Sequence, residues 1–174
     1  MLFGTNDGKI LEIFMKKPTE GFQVRDIIRL TRLGNPTVAR GLERPREKGL
    51  IKKSKGRIFP YYEARLGSIL FRGLKLAYNL AALDSLVRDI AGKARPNCIV
   101  LFGSGAKGED TEKSDMDIFV QAKKRQDVDA SKTEKRLNRK ISMLFEPEVP
   151  KLSKELLNNL ANGIVIFGFF EVVK

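Results

Sequence analysis

The most informative stretch for the fold of this chain is LFGSGAKGEDTEKSDMDIFV, residues 101–120. It opens at the end of a short apolar run, 97–102, which predicts a strand leading directly into Gly103 and Ser104. After a polar loop, an Asp-x-Asp pattern at Asp115 and Asp117 begins a second apolar run. The stretch therefore predicts two strands joined by a Gly-Ser turn, with two carboxylates at the start of the second strand.

Residue types at both ends of this loop favour phosphate and metal chemistry. In a strand from 115 to 120 the two-residue period places Asp115 and Asp117 on one face, while the alternate positions point into the core. Paired carboxylates suit Mg²⁺, or the similar ion Mn²⁺, because these hard ions bind carboxylate and phosphate oxygens. Gly103 allows the backbone to approach a phosphate, whose oxygens the Ser104 hydroxyl and nearby N–H groups can hold.

These residues resemble the signature of the DNA polymerase beta superfamily of nucleotidyltransferases, in its minimal form of Gly-Ser, ten residues and Asp-x-Asp. The later LANGIVIFG, residues 160–168, looks like the closing strand of that family. The resemblance implies that Asp115 and Asp117 are catalytic and hold metal ions that activate an attacking hydroxyl and stabilise the leaving pyrophosphate. It implies a nucleotide-binding set made of Gly103, Ser104, Lys107 and Ser114.

The chain departs from the family pattern at two places. Gly105 and Lys107 stand where the family has an aromatic, arginine or small residue and then an arginine, and a lysine neutralises phosphate only as a point charge. A third acidic residue normally lies on the following strand, here predicted at 141–145, and Ser142 occupies its position. Glu146, beside Pro147, is the alternative acid.

The N-terminal residues predict three helices followed by a hairpin. Helical spacing covers 6–15, a second short helix stops at Gly34, and Asn35 with Pro36 caps and starts the third. Pro45 predicts a kink or an early end of that helix, because proline removes a backbone hydrogen bond. The strands are predicted at 50–53 and 58–62, joined by a turn around Lys55 and Gly56.

Basic residues concentrate in this N-terminal part. Residues 1–66 carry a net charge of +8 out of +12 for the chain, which favours binding to polyanions, the alternative being a solvated surface. FQVRDIIRLTRLGNPTVARGLERPREKGLIKK, residues 22–53, resembles the winged helix-turn-helix of archaeal and bacterial transcription regulators, although such domains also bind protein. A basic face is predicted on the third helix, with Gly41 in its middle. The predicted contacts to double-stranded DNA are Thr37, Arg40, Arg44, Lys48, Lys53, Lys55 and Arg57.

Residues 66–95 predict a helical connector, because apolar residues recur at helical spacing. The pattern is interrupted near 79–84, where Asp84 is suited to cap a second segment. The same apolar stripe also fits a homodimer interface, which is the alternative to a purely structural connector.

The expected fold class is α/β of the α+β kind, in three parts: a winged helix at 1–65, the connector at 66–95, and a nucleotidyltransferase-like mixed sheet with flanking helices at 96–174. With no histidine among the 174 residues, histidine triads and histidine-ligated zinc are excluded. Cys98, the single cysteine, reads as a buried strand residue. No membrane partner is expected, because no apolar run reaches about 20 residues and no secretory signal is visible, so we expect a cytoplasmic protein.

Nearly the whole chain resembles archaeal regulators that fuse these two domains. The resemblance implies Mg²⁺-dependent transfer of a nucleoside monophosphate from a triphosphate, with ATP favoured, to a hydroxyl of a protein or small molecule. One rival interpretation is a non-catalytic transcription regulator whose second domain binds nucleotide or a partner protein. Another is the antitoxin of a toxin–antitoxin pair that modifies its partner and represses its own operon.

Overall fold

The computed structural model describes residues 4–171. By its contacts the chain divides into two compact units, one ending at Lys75 and the other beginning at Leu76. The boundary falls inside a long helix that contributes its first turns to the first unit and its remainder to the second. Each unit is described by itself below.

The first unit consists of three helices followed by a two-stranded antiparallel hairpin. Its elements are α1 Asn6–Lys16, α2 Val24–Thr31, α3 Asn35–Glu47, β1 Ile51–Ser54 and β2 Tyr61–Ala64. Ile51 pairs with Ala64 and Ser54 with Tyr61. An additional bridge joins Phe22, between the first two helices, to Tyr62 of β2. The predicted order of helix, helix, helix and hairpin is therefore observed.

Helix ends in this unit differ from the predicted ones by a few residues. α2 ends before Arg32, which adopts a left-handed φ of 58°, and so does not reach Gly34 as predicted. Gly34 is the N-cap of α3, whereas Asn35 was predicted to be the cap. Asn35 is thus the first helical residue, and Pro36 follows within the first turn, where a missing N–H costs no helical hydrogen bond.

Pro45 does not end α3 early, as one of the two predicted outcomes required. The helix continues to Glu47, and Gly49 closes it with a φ of 68°. Proline is tolerated because it lies in the last turn, where its ring is buried and its carbonyl accepts a hydrogen bond from the Leu50 N–H at 2.8 Å.

The second hairpin strand begins at Tyr61, three residues later than predicted. Pro60 has no N–H to donate to the ladder, so pairing can begin only after it. The connection between the strands consequently spans 55–60 and is longer than the predicted turn. Ile58 and Phe59, predicted to be strand residues, are exposed in this connection.

The core of the first unit joins all five elements. Phe14 and Phe22 meet edge to face with ring centroids 5.5 Å apart. Such pairs add to the free energy gained by burying aromatic surface. Among the described residues, the buried members of this core are Ile10, Phe14, Phe22, Ile27, Val38, Leu42, Leu50, Ile51, Tyr62, Ala64 and Phe71.

The predicted connector is one uninterrupted helix, α4, Ile69–Ala94, and the predicted break near 79–84 is wrong. Asn79 is buried in the helix, and its side chain bonds to Gly105 and Asp110 instead of capping. Asp84 forms an ion pair with Arg88 one turn later, an i,i+4 arrangement that supports a continuing helix. Several residues of the apolar stripe, including Leu83, Leu86 and Ile90, are buried within the chain, and the homodimer alternative stays a prediction.

The second unit is built on a four-stranded mixed sheet. Following the remainder of α4, its elements are β3 Cys98–Phe102, α5 Gly103–Lys107, β4 Met116–Gln121, α6 Ser131–Leu137, β5 Ile141–Phe145, the 3-10 helix Val149–Lys151, α7 Lys154–Ala161 and β6 Ile164–Gly168. The strand order is β5-β4-β3-β6. β4 and β5 are parallel, whereas β3 is antiparallel to both β4 and β6. The predicted mixed sheet with flanking helices is observed.

Both faces of the central strands are covered, which explains why β3 and β4 read as continuous apolar runs. On one face Cys98, Val100 and Phe119 pack with Leu160 of α7. Cys98 is fully buried, as predicted, and burial raises the pKa of its thiol to about 11. Within residues 4–171, no helix is long and apolar enough to cross a membrane.

Candidate active site

The two predicted aspartates lie where β4 begins. Asp115 directly precedes the strand and Asp117 is its second residue. Asp117 is half-buried, and its pKa is raised by burial first and by the negative charge of Asp115 second. The two carboxylates are therefore close enough to repel each other. Within the described part of the chain, neither has a hydrogen-bond or ion-pair partner.

Gly103 brings the Gly-Ser turn into direct contact with Asp117. Its φ of 71° lies in the left-handed region that glycine tolerates. A Cβ at this position would lie 2.7 Å from Oδ2 of Asp117, so the carboxylate occupies the space that a side chain would need. Ser104 follows as the second residue of α5, and Lys107 lies exposed at the end of that helix. The structure thus brings together the turn and the carboxylate that the spacing predicted to share a cleft.

Ser114, predicted to contact nucleotide, holds the turn that leads to Asp115. Its hydroxyl accepts a hydrogen bond from the Thr111 N–H at 2.9 Å, and its own N–H donates to the Thr111 carbonyl at 3.0 Å. These bonds close the loop just before the strand. Ser114 therefore has a structural role in orienting the first aspartate, and its contact with nucleotide stays a prediction.

The strand beside β4 carries Ser142 next to Asp117. In the parallel pairing Asp117 is the register partner of Ser142, and Met116 is the partner of Ile141. Partners in adjacent strands share a face of the sheet. Ser142 and Leu144 are exposed on this face, as predicted, while Met143 lies half-buried on the other.

Glu146 does not replace the missing acid. The pairing of Val120 with Phe145 places it beside Gln121, four strand positions from Ser142, or about 13 Å along the strand. Its Oε1 accepts a hydrogen bond from the Glu148 N–H at 3.1 Å. Throughout residues 4–171, there is no group of three or more histidine, cysteine, aspartate or glutamate side chains arranged to hold a metal ion. The sheet face therefore presents two carboxylates and a serine.

This donor set still fits one divalent cation. Asp115 and Asp117 are like charges, and the pKa of Asp117 is raised by burial first and by the charge of Asp115 second. A bound Mg²⁺ or Mn²⁺ would remove the repulsion and be held by carboxylate oxygens. Phosphates of a nucleotide would have to supply the remaining oxygens.

A buried charged network behind the site was not foreseen. The carboxylate of Asp110 accepts hydrogen bonds from Nδ2 of Asn79 at 2.8 Å and from Nε of Arg139 at 3.2 Å. Asn79 also donates to the carbonyl of Gly105 at 3.2 Å, and so ties α4 to the Gly-Ser helix. The side chains of Asp110 and Arg139 are each 1% exposed. No pattern in the sequence links residues 29 positions apart in this way.

Lys140 is another residue near the site that the sequence patterns did not identify. It precedes β5, and its carbonyl accepts a hydrogen bond from the Met116 N–H at 2.8 Å. It stands two residues before Ser142 and opposite Asp115, on the same face of the sheet. Side chains two residues apart in a strand lie on the same face, so the pattern that places Ser142 on this face also places Lys140 there.

The predicted basic surface of the first unit is present with two differences. Gly41 is buried against Ile10 of α1, so it is not part of the exposed face as predicted; its missing Cβ allows α1 and α3 to approach closely. Arg44 lies 3.6 Å from Asp7, so its charge is partly countered. The other predicted residues are exposed except Thr37, which is half-buried: Arg40, Lys48, Lys53, Lys55 and Arg57.

Comparison with known proteins bears on the second unit alone. Residues 86–168 match the family model described as Polymerase beta, Nucleotidyltransferase. The match runs from the second half of α4 to the end of β6 and includes the Gly-Ser turn, both aspartates and Ser142. No curated protein and no solved structure matched the chain. The match supports a nucleotidyltransferase-like domain in the second unit and does not extend to the first unit.

Proposed function

We propose that the second unit transfers a nucleoside monophosphate from a nucleoside triphosphate, with ATP favoured, to an acceptor, and that it requires Mg²⁺ or Mn²⁺. The observation that carries the proposal is the contact between Gly103 and the Asp117 carboxylate. It joins the turn that would bind phosphate to the carboxylate that would bind metal, without an intervening side chain. The family match over the same residues supports this assignment.

In the proposed reaction the triphosphate and the acceptor would lie on opposite sides of β4. On the β3 side, the Ser104 hydroxyl and backbone N–H groups would orient the triphosphate, and Lys107 would offset part of its charge. Asp115 and Asp117 would hold the metal ion, which when bound supplies charge stabilisation at the phosphates and the leaving pyrophosphate. The acceptor would then approach from the β5 side, since the triphosphate occupies the other one.

Asp117→Asn tests the nucleotide site. We expect the variant to lose Mg²⁺-dependent ATP binding in calorimetry, because the amide cannot counter the charge of the metal ion. Glu146→Gln is the matched control, since it removes the same kind of charge from the same sheet face about 13 Å along the strand, and it should bind as wild type does. Equal ATP affinity in the Asp117 variant and wild type would place the nucleotide elsewhere.

A non-catalytic regulator is the second candidate, and one observation favours it: the neighbour of Asp117 on β5 is Ser142, not an acid. A site with two carboxylates retains nucleotide better than it activates an acceptor, because serine is a poor proton acceptor at neutral pH. Incubation with α-labelled ATP, Mg²⁺ and cell extract separates the two candidates by label transfer. A modified partner encoded by the adjacent gene would identify the toxin–antitoxin form of the enzyme.

We also propose that the first unit is a winged helix that binds double-stranded DNA, which would place the protein in the cytoplasm. Three helices followed by a hairpin support this, together with the exposed cations on α3 and on the connection between β1 and β2. α3 would enter the major groove through Arg40, and Lys55 and Arg57 would lie along the phosphates.

Replacing both Arg40 and Arg44 with alanine should weaken DNA binding about tenfold or more at low salt and reduce its salt dependence. The measurement is fluorescence anisotropy with duplex DNA at low and moderate salt. The double variant Lys9→Ala, Lys17→Ala removes the same net charge from α1 and the residue that follows it, and is the control. If both double variants bind equally, net charge alone drives binding and α3 is not the reading element.

A further inference from the structure

A cleft of about 570 Å³ opens beside Asp115 and has no role in the mechanism above. Its walls come from the turn at 112–115, from α6, and from the segment 138–140 that leads into β5. The strand order β5-β4-β3 places this cleft and the Gly-Ser turn on opposite sides of β4. It therefore lies on the side from which an acceptor would reach the aspartates.

Four cations and three carboxylates line this cleft, and one of the carboxylates is Asp115, whose charge the proposed metal ion would offset. Lys113 and Lys140 are exposed, and within residues 4–171 neither has an ion-pair partner. Lys135 also lines the cleft, although its charge acts in part on Asp129. Of the remaining lining groups, Arg139 is paired with Asp110, and a carboxylate oxygen of Glu134 accepts the Ile141 N–H at 2.9 Å. An anionic ligand fits such a surface.

Apart from the two aspartates that would hold the metal ion, the sheet face beside the cleft lacks a carboxylate that could deprotonate a neutral acceptor. Ser142 is the register partner of Asp117, and Glu146 lies four positions further along the strand. A serine hydroxyl does not readily take a proton at neutral pH. Lys140 opposite Asp115 is a cation and cannot serve as the base while protonated. A hydroxyl acceptor, as the sequence alone predicts, would therefore enter this site without general-base assistance.

We propose that the cleft binds a phosphate monoester and that its phosphate is the nucleophile, which rests on the proposed nucleotidyl transfer. A phosphate monoester is largely a dianion at pH 7, so no proton has to be removed before attack. One of its oxygens forms a bond to the α-phosphorus of the triphosphate. The bond from that phosphorus to the bridging oxygen of the β-phosphate breaks, and pyrophosphate leaves with the electron pair. The product is a phosphoanhydride.

The lysines would stabilise a phosphate acceptor, which carries a negative charge that a hydroxyl acceptor lacks. A dianion that approaches a triphosphate is repelled, and fixed cations around the cleft offset that repulsion. Lys113 and Lys140 enter the cleft from its two sides, one from the turn before Asp115 and one from the residue before β5. The absence of a base and the presence of cations thus point to the same chemical class of acceptor.

Two sources of this chemistry, a sugar phosphate and the 5′-phosphate of a polynucleotide, are separated by matched acceptor pairs. The full chain is incubated with Mg²⁺ and ATP labelled at the α-phosphate. The pairs are glucose 1-phosphate with glucose, and a 5′-phosphorylated oligonucleotide with its 5′-hydroxyl form. We expect label on the phosphorylated member of one pair, which identifies the source. Label on the hydroxyl members at an equal or greater rate would overturn the proposal.

Binding of phenyl phosphate decides the matter if no acceptor is labelled. We expect it to shift the amide signals of Asp115 and Lys140 in NMR spectra, and the double variant Lys113→Ala, Lys140→Ala to weaken binding at least tenfold. Lys132→Ala, which removes an exposed lysine of α6 outside the cleft, is the control. No binding, or equal binding by the double variant, overturns the proposal. If wild type still binds ATP with Mg²⁺ in that case, the proposed function stands without it.

Ser142→Asp is an independent test, because it should change the rates of transfer to phosphate and to hydroxyl acceptors in opposite directions. The new carboxylate should repel a phosphate acceptor and lower transfer to it at least tenfold, while it should raise transfer to a hydroxyl acceptor. A merely structural effect of the substitution would lower both rates together. Higher transfer to the phosphate acceptor in this variant would contradict the proposal.

Discussion

Two pairs of charged residues in the second unit have opposite environments. Asp110 and Arg139 are fully buried, oppositely charged and joined by a hydrogen bond, with Asn79 completing the network. Asp115 and Asp117 are more accessible, like-charged and without a described partner. One pair is satisfied within the chain, and the other is satisfied only if something binds. The comparison separates residues that stabilise the fold around the site from residues that are proposed to bind a ligand in it.

The buried pair should give the largest effect on stability. Arg139→Met removes the guanidinium that is hydrogen-bonded to the buried Asp110 carboxylate, and removing one partner of a buried ion pair costs about 3–5 kcal/mol. We expect that loss in urea unfolding followed by the amide signals of β3 and β4. NMR is the suitable probe because the chain contains no tryptophan and because two units need not unfold together.

The double variant Asp110→Asn, Arg139→Met is the control for this prediction. Removing both charges leaves no uncompensated ion, so the double variant should be more stable than Arg139→Met alone. If the single and double variants are equally unstable, the loss comes from packing of the long arginine side chain, and the contrast between the two pairs is weaker than the geometry indicates.

This contrast also explains which parts of the molecule the sequence could predict. Local patterns identified the strands at 98–102 and 141–145 and the three N-terminal helices, since hydrophobic period and cap residues act over a few positions. The continuity of α4 was missed because Asn79 and Asp84 resemble caps by type, and only the tertiary bond from Asn79 to Asp110 shows otherwise. Contacts between distant segments leave no trace in a single sequence.

For the site, the two-residue period was sufficient where the strands were correctly placed. It predicted that Asp115 and Asp117 share a face and that Ser142 faces away from Met143. It could not predict that Ser142 lies beside Asp117, because register between strands depends on the loops and helices that separate them. The cleft beside Asp115 was equally invisible, since its walls come from three separated segments.

A substitution at Gly103 should have an effect of intermediate size on stability. Gly103→Ala should cost about 1–2 kcal/mol, because an L-residue is strained in the left-handed region, and its methyl group would displace the Asp117 carboxylate. We expect Mg²⁺-dependent ATP affinity to fall together with stability. Gly49→Ala is the matched control: its φ of 68° gives similar strain, but nothing lies within 4 Å of the added methyl. Equal ATP binding by the two variants would show that Asp117 does not need its present position.

Asp117→Asn should give the smallest change in stability, and the change should be favourable. Burial and the charge of Asp115 raise the pKa of Asp117, so the folded protein holds this proton more tightly than the unfolded chain does. The ionised carboxylate therefore destabilises the fold above its folded pKa, and the penalty disappears as pH falls below the ordinary aspartate pKa.

The variant should consequently be more stable than wild type at neutral pH, by about 0.5 kcal/mol or less, as for other accessible positions. The two proteins should become equal near pH 3, where both side chains are neutral. Thermal unfolding without metal, measured across this range, checks the sign. Asp115→Asn should behave in the same direction, because it removes the charge that repels Asp117. A loss of stability at neutral pH in either variant would mean that the carboxylates are satisfied within the chain, and the distinction between the two charged pairs would fail.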